Sequence, residues 1–327
     1  MKKRTKIVLV GSGVTAAMMA LAESTRRAIA EYLVRLALDR EVPPYPAHME
    51  TQLVGGGTSP RMLQDVQQAA AKLSAMPHNT VSIQSSDGTD LLGHWMPVPQ
   101  SKRVIVAMHG WRSAWDNDFG LVADFFTENG CSVLYAEQRG QGRSGGDHMG
   151  FGLTERHDCL RWIHWVNEET GGDLPIYLCG ISMGASTVLM TGGLELPENV
   201  RGIIADSGYT SPGDIWKHVA KHLHVSYEMC GKPATKIAKR RLCVGMDETS
   251  CPEALKKCKV PVLFVHGTDD RFVPIEMTYE NYKACAAPKR LFVVPGAEHG
   301  MSYLVDPVGY ETTVRNFWQD CEKNLPC

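Results

Sequence analysis

One serine lies between two glycines where a strand-like run meets a helix-like run. The pattern G-x-S-x-G occupies residues 180–184, with Ser182 at its centre, between the apolar run 175–179 and the helix-like run 185–190. A serine hydroxyl is a weak nucleophile at neutral pH, so it needs a nearby base and hydrogen-bond donors. A sharp strand-to-helix turn exposes it, and Gly180 and Gly184 leave room where side chains would collide. The pattern predicts a nucleophile elbow, with an ordinary β–α turn as the alternative.

Two further strand-like runs end close to residues that would complete such a site. Residues 260–266 lead to Asp270, and residues 290–295 lead to His299. We predict that His299 is the base that deprotonates Ser182 and that Asp270 orients its imidazole. The order serine, acid, histidine differs from the orders of chymotrypsin-like and subtilisin-like proteases.

A fourth element follows the strand-like run 103–108, where His109, Gly110 and Trp111 open a loop. Transition states of acyl transfer carry negative charge on an oxygen, which backbone N–H groups can stabilise. The N–H of Trp111 and that of Met183, the residue after the serine, are the predicted oxyanion hole.

Together these motifs resemble the α/β-hydrolase superfamily over about residues 78–325, and most closely its bacterial branch of esterases, lysophospholipases and serine aminopeptidases. The matching segments are 109–110, 137–144, 180–184, 206–210, 266–274 and 298–300. The resemblance implies that His109 and Gly110 support the oxyanion loop. It also implies an acid four residues after His266, which favours Asp270 over Asp269. His266 itself is expected to be a hydrogen-bonded core histidine.

Other residues compete for roles in the site. Asp206 ends a strand-like run at a position where some related hydrolases place the acid, but the intact motif at 266–274 favours a structural role for it. Trp111, Trp115 and Trp216 are the candidates for binding substrate. Core packing would explain an isolated tryptophan equally well.

Strand-like and helix-like stretches alternate, which is typical of a parallel sheet covered by helices on both faces. We predict an α/β-hydrolase fold with about eight mainly parallel strands, led by an antiparallel hairpin at 80–84 and 91–95. The further strands are expected at 103–108, 131–136, 175–179, 201–206, 260–266 and 290–294. The helices are expected at 117–129, 154–168, 183–193, 275–285 and 307–322.

The segment between the strands near 206 and 260 is too long, at about 50 residues, for a simple crossover. We predict a helical lid at 208–257 that sets acyl or leaving-group specificity, because ligands bind at the carboxyl ends of the strands. The hydrolase core would then comprise residues 46–207 and 258–327.

The first 45 residues form a separate N-terminal unit. Residues 7–22 are mostly apolar and follow a basic start, which fits a signal peptide or a membrane anchor, although the run is short for a membrane span. Residues 25–39 predict an amphipathic helix that ends before Pro43. Its expected apolar face consists of Ile29, Tyr32, Leu33 and Leu36. The sequence leaves three roles open for this segment: a packed helix, a signal peptide or a membrane anchor. The location of the protein is accordingly open between cytoplasmic, membrane-associated and exported.

Composition limits the partners of the chain. Its 327 residues, 43% hydrophobic and 21% charged, suffice for one large domain with an insertion. A net charge of −2 gives no sign of a nucleic-acid partner. The ten cysteines show no metal-site spacing and predict buried, reduced thiols. Disulfides stay open for an exported chain among Cys230, Cys243, Cys251 and Cys258.

Three functions are hypotheses at this point. The first is hydrolysis of small or medium carboxylic esters, which requires neither a metal nor an organic cofactor. The second is a peptidase, amidase or lysophospholipase with the same three residues. The third is a non-catalytic binding protein, disfavoured because the chain retains all three residues. The expected partner is a small ester or amide, and the sequence sets no oligomeric state.

Overall fold

The computed structural model describes residues 2–45 and 59–323, and only the backbone of residues 2–18 and 20. The helices are α1 (Lys2–Leu38), α2 (Pro60–Ala75), α3 (Trp115–Phe119), α4 (Ala123–Glu128), α5 (Glu155–Thr170), α6 (Met183–Thr191), α7 (Pro212–His222), α8 (Tyr227–Leu242), α9 (Cys251–Leu255), α10 (Ile275–Ala284), α11 (Ser302–Val305) and α12 (Pro307–Glu322). The strands are β1 (Asn79–Gln84), β2 (Asp90–Met96), β3 (Arg103–Met108), β4 (Cys131–Ala136), β5 (Ile176–Ile181), β6 (Val200–Asp206), β7 (Val262–Gly267) and β8 (Lys289–Val294).

The eight strands form one sheet in the order β1-β2-β4-β3-β5-β6-β7-β8. β1 pairs with β2 and β2 with β4 in antiparallel fashion, and every other pairing is parallel. In the register of β3, Val106 lies opposite Leu134 on one side and Leu178 on the other. The predicted fold, a mainly parallel sheet of about eight strands with a leading hairpin, is confirmed.

Apolar layers cover both faces of the sheet. All six residues of β3 are buried, and successive side chains of a strand point to opposite faces. Val104 and Val106 pack on one side with Trp162 of α5, while Ile105 and Ala107 pack on the other side with helices α4 and α12. Such double burial explains why the central strands read as continuous apolar runs.

The insertion between β6 and β7 contains two amphipathic helices, α7 and α8, which together are called the lid. Ser211 begins α7 by accepting a hydrogen bond from the Asp214 N–H at 3.1 Å, and Ser226 begins α8 in the same way. The third helix of the predicted insertion, α9, packs against α6 and α10 in the core. It therefore belongs to the core and not to the lid.

The N-terminal segment is one continuous helix, α1, whose last turns pack against α8 of the lid. Its buried face consists of Ala30, Val34, Leu36 and Leu38. The prediction that Ile29 belongs to this face is wrong, because the helix presents Ala30 and Val34 to the core and leaves Ile29 40% exposed. In the ranges 2–45 and 59–323, no helix is both long and apolar enough to span a membrane.

The helices differ from the prediction before β1 and after β3. Helix α2 was not predicted, although Ser59 and Pro60 carry a start signal, and the Ser59 hydroxyl accepts a hydrogen bond from the Met62 N–H at 3.3 Å. The predicted helix at 117–129 is divided into α3 and α4. Gly120 separates them where a Cβ would lie 2.6 Å from the backbone of Ala69 in α2. Residues 46–58, where the predicted core begins, lie outside the described residues.

Candidate active site

Ser182 occupies a strained backbone conformation at the turn from β5 to α6. Its φ of 57° and ψ of −117° lie outside the regions favoured by residues with a Cβ, and its N–H donates to the Asp206 carbonyl at 2.9 Å. A Cβ on Gly180 would lie 2.2 Å from the Gly184 carbonyl oxygen. A Cβ on Gly184 would lie 1.8 Å from the Met108 carbonyl oxygen. Only glycine fits at these two positions, and the turn lifts the Ser182 hydroxyl above the sheet.

Loops after β7 and β8 bring two side chains to Ser182. His299 Nε2 lies 2.8 Å from Ser182 Oγ, and His299 Nδ1 lies 2.7 Å from Asp270 Oδ2. Asp270 Oδ1 accepts hydrogen bonds from the N–H groups of Phe272 at 3.0 Å and Val273 at 2.8 Å, which fix the carboxylate. When Nδ1 donates its proton to Asp270, Nε2 is free to accept the proton of the serine hydroxyl. The structure therefore brings together the three residues that the sequence motifs indicated.

Burial and charge act in opposite directions on both titrating groups. Burial raises the pKa of Asp270, but the charge of His299 and hydrogen bonds from His266 and His299 outweigh it and hold this pKa well below its usual range. Burial lowers the pKa of His299, yet the Asp270 carboxylate outweighs burial and the net shift is upward. An ionised carboxylate thus lies beside an imidazole that accepts a proton readily.

A second histidine touches the same carboxylate oxygen. His266 Nε2 lies 3.1 Å from Asp270 Oδ2 and 2.9 Å from the Val273 carbonyl oxygen. His266 Nδ1 lies 2.7 Å from the Thr278 hydroxyl, and the ring is completely buried. If the Thr278 hydroxyl donates to Nδ1, a proton on Nε2 can be shared between Asp270 Oδ2 and the Val273 carbonyl oxygen. The sequence predicted a buried core histidine at position 266, and the ring is buried. It did not predict the contact of His266 with Asp270 Oδ2, although the two residues are only four positions apart in the sequence.

The two predicted oxyanion donors, the N–H groups of Trp111 and Met183, belong to residues that border the same cavity as Ser182. No residue in the described part of the chain accepts a hydrogen bond from either group. His109 is buried, its Nδ1 donates to the Gly110 carbonyl at 2.8 Å, and its Nε2 accepts from the Gln138 N–H at 3.1 Å. Burial lowers the pKa of His109, which favours the neutral ring that this bonding requires. The ring therefore bonds Gly110 of its own loop and Gln138 of the loop after β4, and not Ser182.

Asp118, which was not predicted as a site residue, holds the oxyanion loop. Its Oδ2 accepts a hydrogen bond from the Gly110 N–H at 2.6 Å, and its Oδ1 accepts one from the Ser113 hydroxyl. The position that a Gly110 Cβ would take lies 3.2 Å from Asp118 Oδ2 and 3.3 Å from Ser182 Cβ. The carboxylate and the nucleophile therefore face each other across this glycine. No spacing rule singles out Asp118 from its neighbour Asp116 in the sequence.

Ser182 borders two cavities that are lined by described residues. The first, called the apolar cavity, has a volume of about 90 Å³ and lies between the core, the lid and α1. Its apolar lining includes Leu33, Ala37, Ile215, Trp216, Val219 and Ala234. The second has a volume of about 560 Å³ and is called the polar cavity because Arg112, Asp118 and His299 border it, although the rest of its lining is largely apolar. Leu36, Trp111, Ser182 and Phe272 border both cavities.

Comparison with known proteins gives related sequences. The family model Hydrolase_4, described as serine aminopeptidase S33, matches residues 99–241. The uncharacterized protein YqkD of Bacillus subtilis is 28% identical over 239 residues, which cover 72% of this chain and 77% of that protein. The bifunctional esterase/perhydrolase DCH of Acinetobacter calcoaceticus is 24% identical over 261 residues, which cover 67% of this chain and 92% of that protein.

A solved structure shares the fold. The esterase Pf2001 of Pyrococcus furiosus superposes with a TM-score of 0.62 at 20% identity, over 85% of this chain and 97% of that one. The chain therefore has the α/β-hydrolase fold, and over residues 99–241 it is similar to the serine aminopeptidase S33 family. It carries its candidate nucleophile at the carboxyl end of β5 and its candidate acid and base after β7 and β8. Because this fold supports many reactions, the substrate has to be argued from the site.

The three candidate substrate-binding tryptophans occupy different places in the structure. Trp111 borders both cavities, and Trp216 borders the apolar cavity. Trp115 is buried and stacks on His94 with ring centroids 4.0 Å apart, and it borders neither cavity. The expectation that Trp115 binds substrate is therefore corrected, because its ring fills the apolar layer beside Tyr135.

The alternative acids, Asp206 and Asp269, make their hydrogen bonds to groups other than the His299 imidazole. Asp206 Oδ1 accepts hydrogen bonds from the hydroxyls of Ser207 at 3.0 Å and Ser302 at 3.1 Å, and burial raises the pKa of Asp206. Asp269 is exposed and accepts from the Thr268 hydroxyl at 2.9 Å. Neither carboxylate takes the position that Asp270 holds against the imidazole.

In the ranges 2–45 and 59–323, most of the cysteine side chains are buried. The nine cysteines in these ranges, which include Cys230, Cys243, Cys251 and Cys258, are all unpaired. Burial raises the pKa of Cys179 behind the elbow, so its thiol is held protonated. Within the same ranges, no group of three or more histidine, cysteine or acidic side chains is arranged to hold a metal ion.

Proposed function

We propose that this protein is a hydrolase that cleaves carboxylic esters through an acyl-enzyme on Ser182. The observation that carries the proposal is the hydrogen-bonded series of Ser182, His299 and Asp270 beside an apolar cavity. The strained backbone at Ser182 supports it further, because strain of this kind concentrates at functional sites. Hydrogen bonds from the N–H groups of Phe272 and Val273 to Asp270 fix the carboxylate at the end of this series.

The chemistry begins when His299 Nε2 takes the proton of Ser182 Oγ and the oxygen attacks the ester carbonyl carbon. The oxyanion lies between the N–H groups of Trp111 and Met183, and Asp270 stabilises the imidazolium. His299 then gives the proton to the leaving alcohol oxygen as the C–O bond breaks. Water, deprotonated by the same imidazole, releases the carboxylic acid and restores the Ser182 hydroxyl.

The position of His299 assigns the two halves of the ester to the two cavities. The leaving oxygen must lie within hydrogen-bond reach of Nε2 to receive its proton. His299 borders the polar cavity but not the apolar cavity. The alcohol half therefore belongs in the polar cavity and the acyl half in the apolar cavity.

Cavity size favours small acyl groups. The apolar cavity, at about 90 Å³, is smaller than the roughly 150 Å³ cavity that admits benzene in another protein. An acyl chain of a few carbons fits this volume, whereas a long fatty acyl chain requires movement of α1 or the lid. A lysophospholipase activity is disfavoured for the same reason.

Peptidase activity is the second candidate, because the matching family model is described as serine aminopeptidase. An aminopeptidase substrate carries its free ammonium on the acyl side of the bond that breaks. Among the described residues, no carboxylate borders the apolar cavity, and burial of an unpaired charge costs several kcal/mol. Of the lid-region acids, Asp214 binds the Thr210 and Ser211 hydroxyls and Glu248 pairs with Arg156. The site therefore favours esters.

Steady-state hydrolysis tests the proposal. The substrates are p-nitrophenyl esters from acetate to palmitate and a set of aminoacyl p-nitroanilides. The enzymes are the wild type, Ser182→Ala and the control Ser74→Ala, which changes an exposed serine on α2. We expect fastest turnover of short esters, unchanged in Ser74→Ala and reduced about 10³-fold or more in Ser182→Ala. Anilide turnover above ester turnover would assign a peptidase, and ester turnover retained by Ser182→Ala would contradict the proposal.

A further inference from the structure

The last turns of α1 cover the nucleophile. Leu36 is only 4% exposed and borders both the apolar and the polar cavity, as Ser182 does. Leu33 and Ala37 border the apolar cavity alone. The N-terminal helix therefore contributes to the substrate site as directly as the lid does, although it lies about 150 residues from Ser182 in the sequence.

The oxyanion loop fastens this part of α1. The Trp111 indole N–H donates to the Ala37 carbonyl at 2.8 Å. The Arg112 guanidinium donates to the carbonyl oxygens of Leu36 at 2.8 Å and Asp39 at 2.7 Å. These carbonyls belong to the C-terminal turn of the helix, where no further turn supplies N–H donors. The same loop that carries the predicted oxyanion donor thus fixes the position of Leu36.

The lid and a core loop fasten α1 from its other sides. Arg241 of α8 forms ion pairs with Glu31 and Asp39. The Met149 N–H donates to the Leu38 carbonyl at 2.8 Å. Leu36 is consequently held between three parts of the molecule and acts as a fixed wall, not as a mobile side chain on a free helix.

We propose that Leu36 is a specificity-determining residue that ends the acyl pocket and separates it from the leaving-group cavity. This inference rests on the proposed ester hydrolysis. A shorter side chain at position 36 joins the two cavities and admits longer acyl groups. A larger side chain narrows the space next to Ser182 and restricts the enzyme to the smallest acyl groups. Each methylene that fits or fails to fit such a pocket changes kcat/KM roughly 10- to 200-fold.

The test compares Leu36→Ala, Leu36→Phe and Leu33→Ala with the wild type and with Leu21→Ala, which removes a 68% exposed leucine from the same helix. The measured quantity is the ratio of kcat/KM for p-nitrophenyl octanoate to that for the acetate. Because both substrates are hydrolysed by one preparation, this ratio does not depend on the fraction of enzyme that is folded.

We expect Leu36→Ala to raise the ratio about tenfold or more and Leu36→Phe to lower it. Leu33→Ala should raise the ratio too, without altering the preference among acetate esters of different alcohols, whereas Leu36→Ala should alter that preference as well. Leu21→Ala should behave as the wild type. Equal ratios in the wild type, Leu36→Ala and Leu36→Phe, or a shift of both variants in one direction, would overturn the inference. Absence of Ser182-dependent ester hydrolysis in the wild type would instead overturn the proposed function.

Discussion

The substitution Asp270→Asn separates the electrostatic role of this residue from its structural role. The amide has nearly the shape of the carboxylate, and its oxygen can keep the hydrogen bonds from the N–H groups of Phe272 and Val273. Its NH₂ group then points at His299 Nδ1, which lies 2.7 Å from Asp270 Oδ2 in the wild type, while His266 Nε2 gives up its contact with position 270 and keeps its hydrogen bond to the Val273 carbonyl. Two donors cannot face each other, so Nδ1 must give up its proton and Nε2 must carry it. A protonated Nε2 cannot accept the proton of Ser182.

The expected loss follows from this change of tautomer. Replacing the acid by its amide in a serine protease with the same three roles lowers kcat about 10⁴-fold, which corresponds to about 5 kcal/mol of transition-state stabilisation. We expect a similar loss of kcat on p-nitrophenyl acetate for Asp270→Asn. Asp269→Asn is the matched control, because Asp269 is exposed and bonds only its neighbour Thr268 among the described side chains. The control should retain wild-type activity, and both variants should remain folded by circular dichroism.

The pH dependence of the wild type gives a second readout of the same contact. The pKa of His299 is raised by the Asp270 carboxylate, which outweighs burial. A protonated imidazole cannot act as a base, so kcat/KM should fall as the pH drops through this raised pKa, above the usual histidine value of about 6.5. In Asp270→Asn the residual activity should persist to lower pH because the attraction is gone. Asp270→Asn with more than a tenth of wild-type kcat, or with an unmoved acid limb, would refute the reasoning and direct attention to Asp206.

Three further predictions concern supporting residues. Asp118→Asn retains only one of the two acceptor oxygens, so the Gly110 N–H is less firmly held. We expect kcat to fall roughly tenfold, which is less than the 10²–10³-fold loss that follows removal of an oxyanion donor. An unchanged kcat would contradict this prediction. Trp115→Ala should lower the free energy of unfolding in urea by about 3–5 kcal/mol without changing acyl-length preference, while Trp216→Ala should change that preference. A changed preference in Trp115→Ala would contradict the position of this ring outside both cavities. Gly184→Ala, whose Cβ would lie 1.8 Å from a carbonyl oxygen of β3, should yield little folded protein by gel filtration, and a soluble, active variant would refute the steric argument.

Much of the fold could be predicted because burial leaves a local signal. Strands β3 and β4 are buried at all six positions each, so they appear in the sequence as uninterrupted apolar runs. The candidate triad could be predicted for a related reason. Its members follow β5, β7 and β8, and the carboxyl ends of parallel strands meet at one edge of a sheet.

Contacts between distant segments could not be predicted in this way. The ion pairs of Arg241 with Glu31 and Asp39 join positions about 200 residues apart, and no periodicity records them. The position of α1 over Ser182 and the choice of its buried face depend on such contacts. The helical pattern alone could not decide between Ile29 and Ala30 as the residue facing the core.

The position of a single side chain does not follow from local sequence when its partner comes from another part of the sheet. Trp115 follows the oxyanion loop in sequence, which suggested the substrate pocket, but its stacking partner His94 lies on the antiparallel strand β2. Asp118 is the opposite case, a site residue that the sequence does not indicate. It lies in a short helix and matches no motif, but its carboxylate accepts a hydrogen bond from the Gly110 N–H.

The most direct test of the central claim is the site of covalent labelling by a small alkyl fluorophosphonate. Such a reagent reacts with a serine hydroxyl only where a base and an oxyanion hole activate it. Intact-mass measurement and peptide mapping of the wild type, Ser182→Ala and Ser74→Ala identify the modified residue. We predict one adduct per chain on Ser182 in the wild type and in Ser74→Ala, and none in Ser182→Ala. An unlabelled wild type, or an adduct on another serine that persists in Ser182→Ala, would contradict the assignment of Ser182 as the nucleophile.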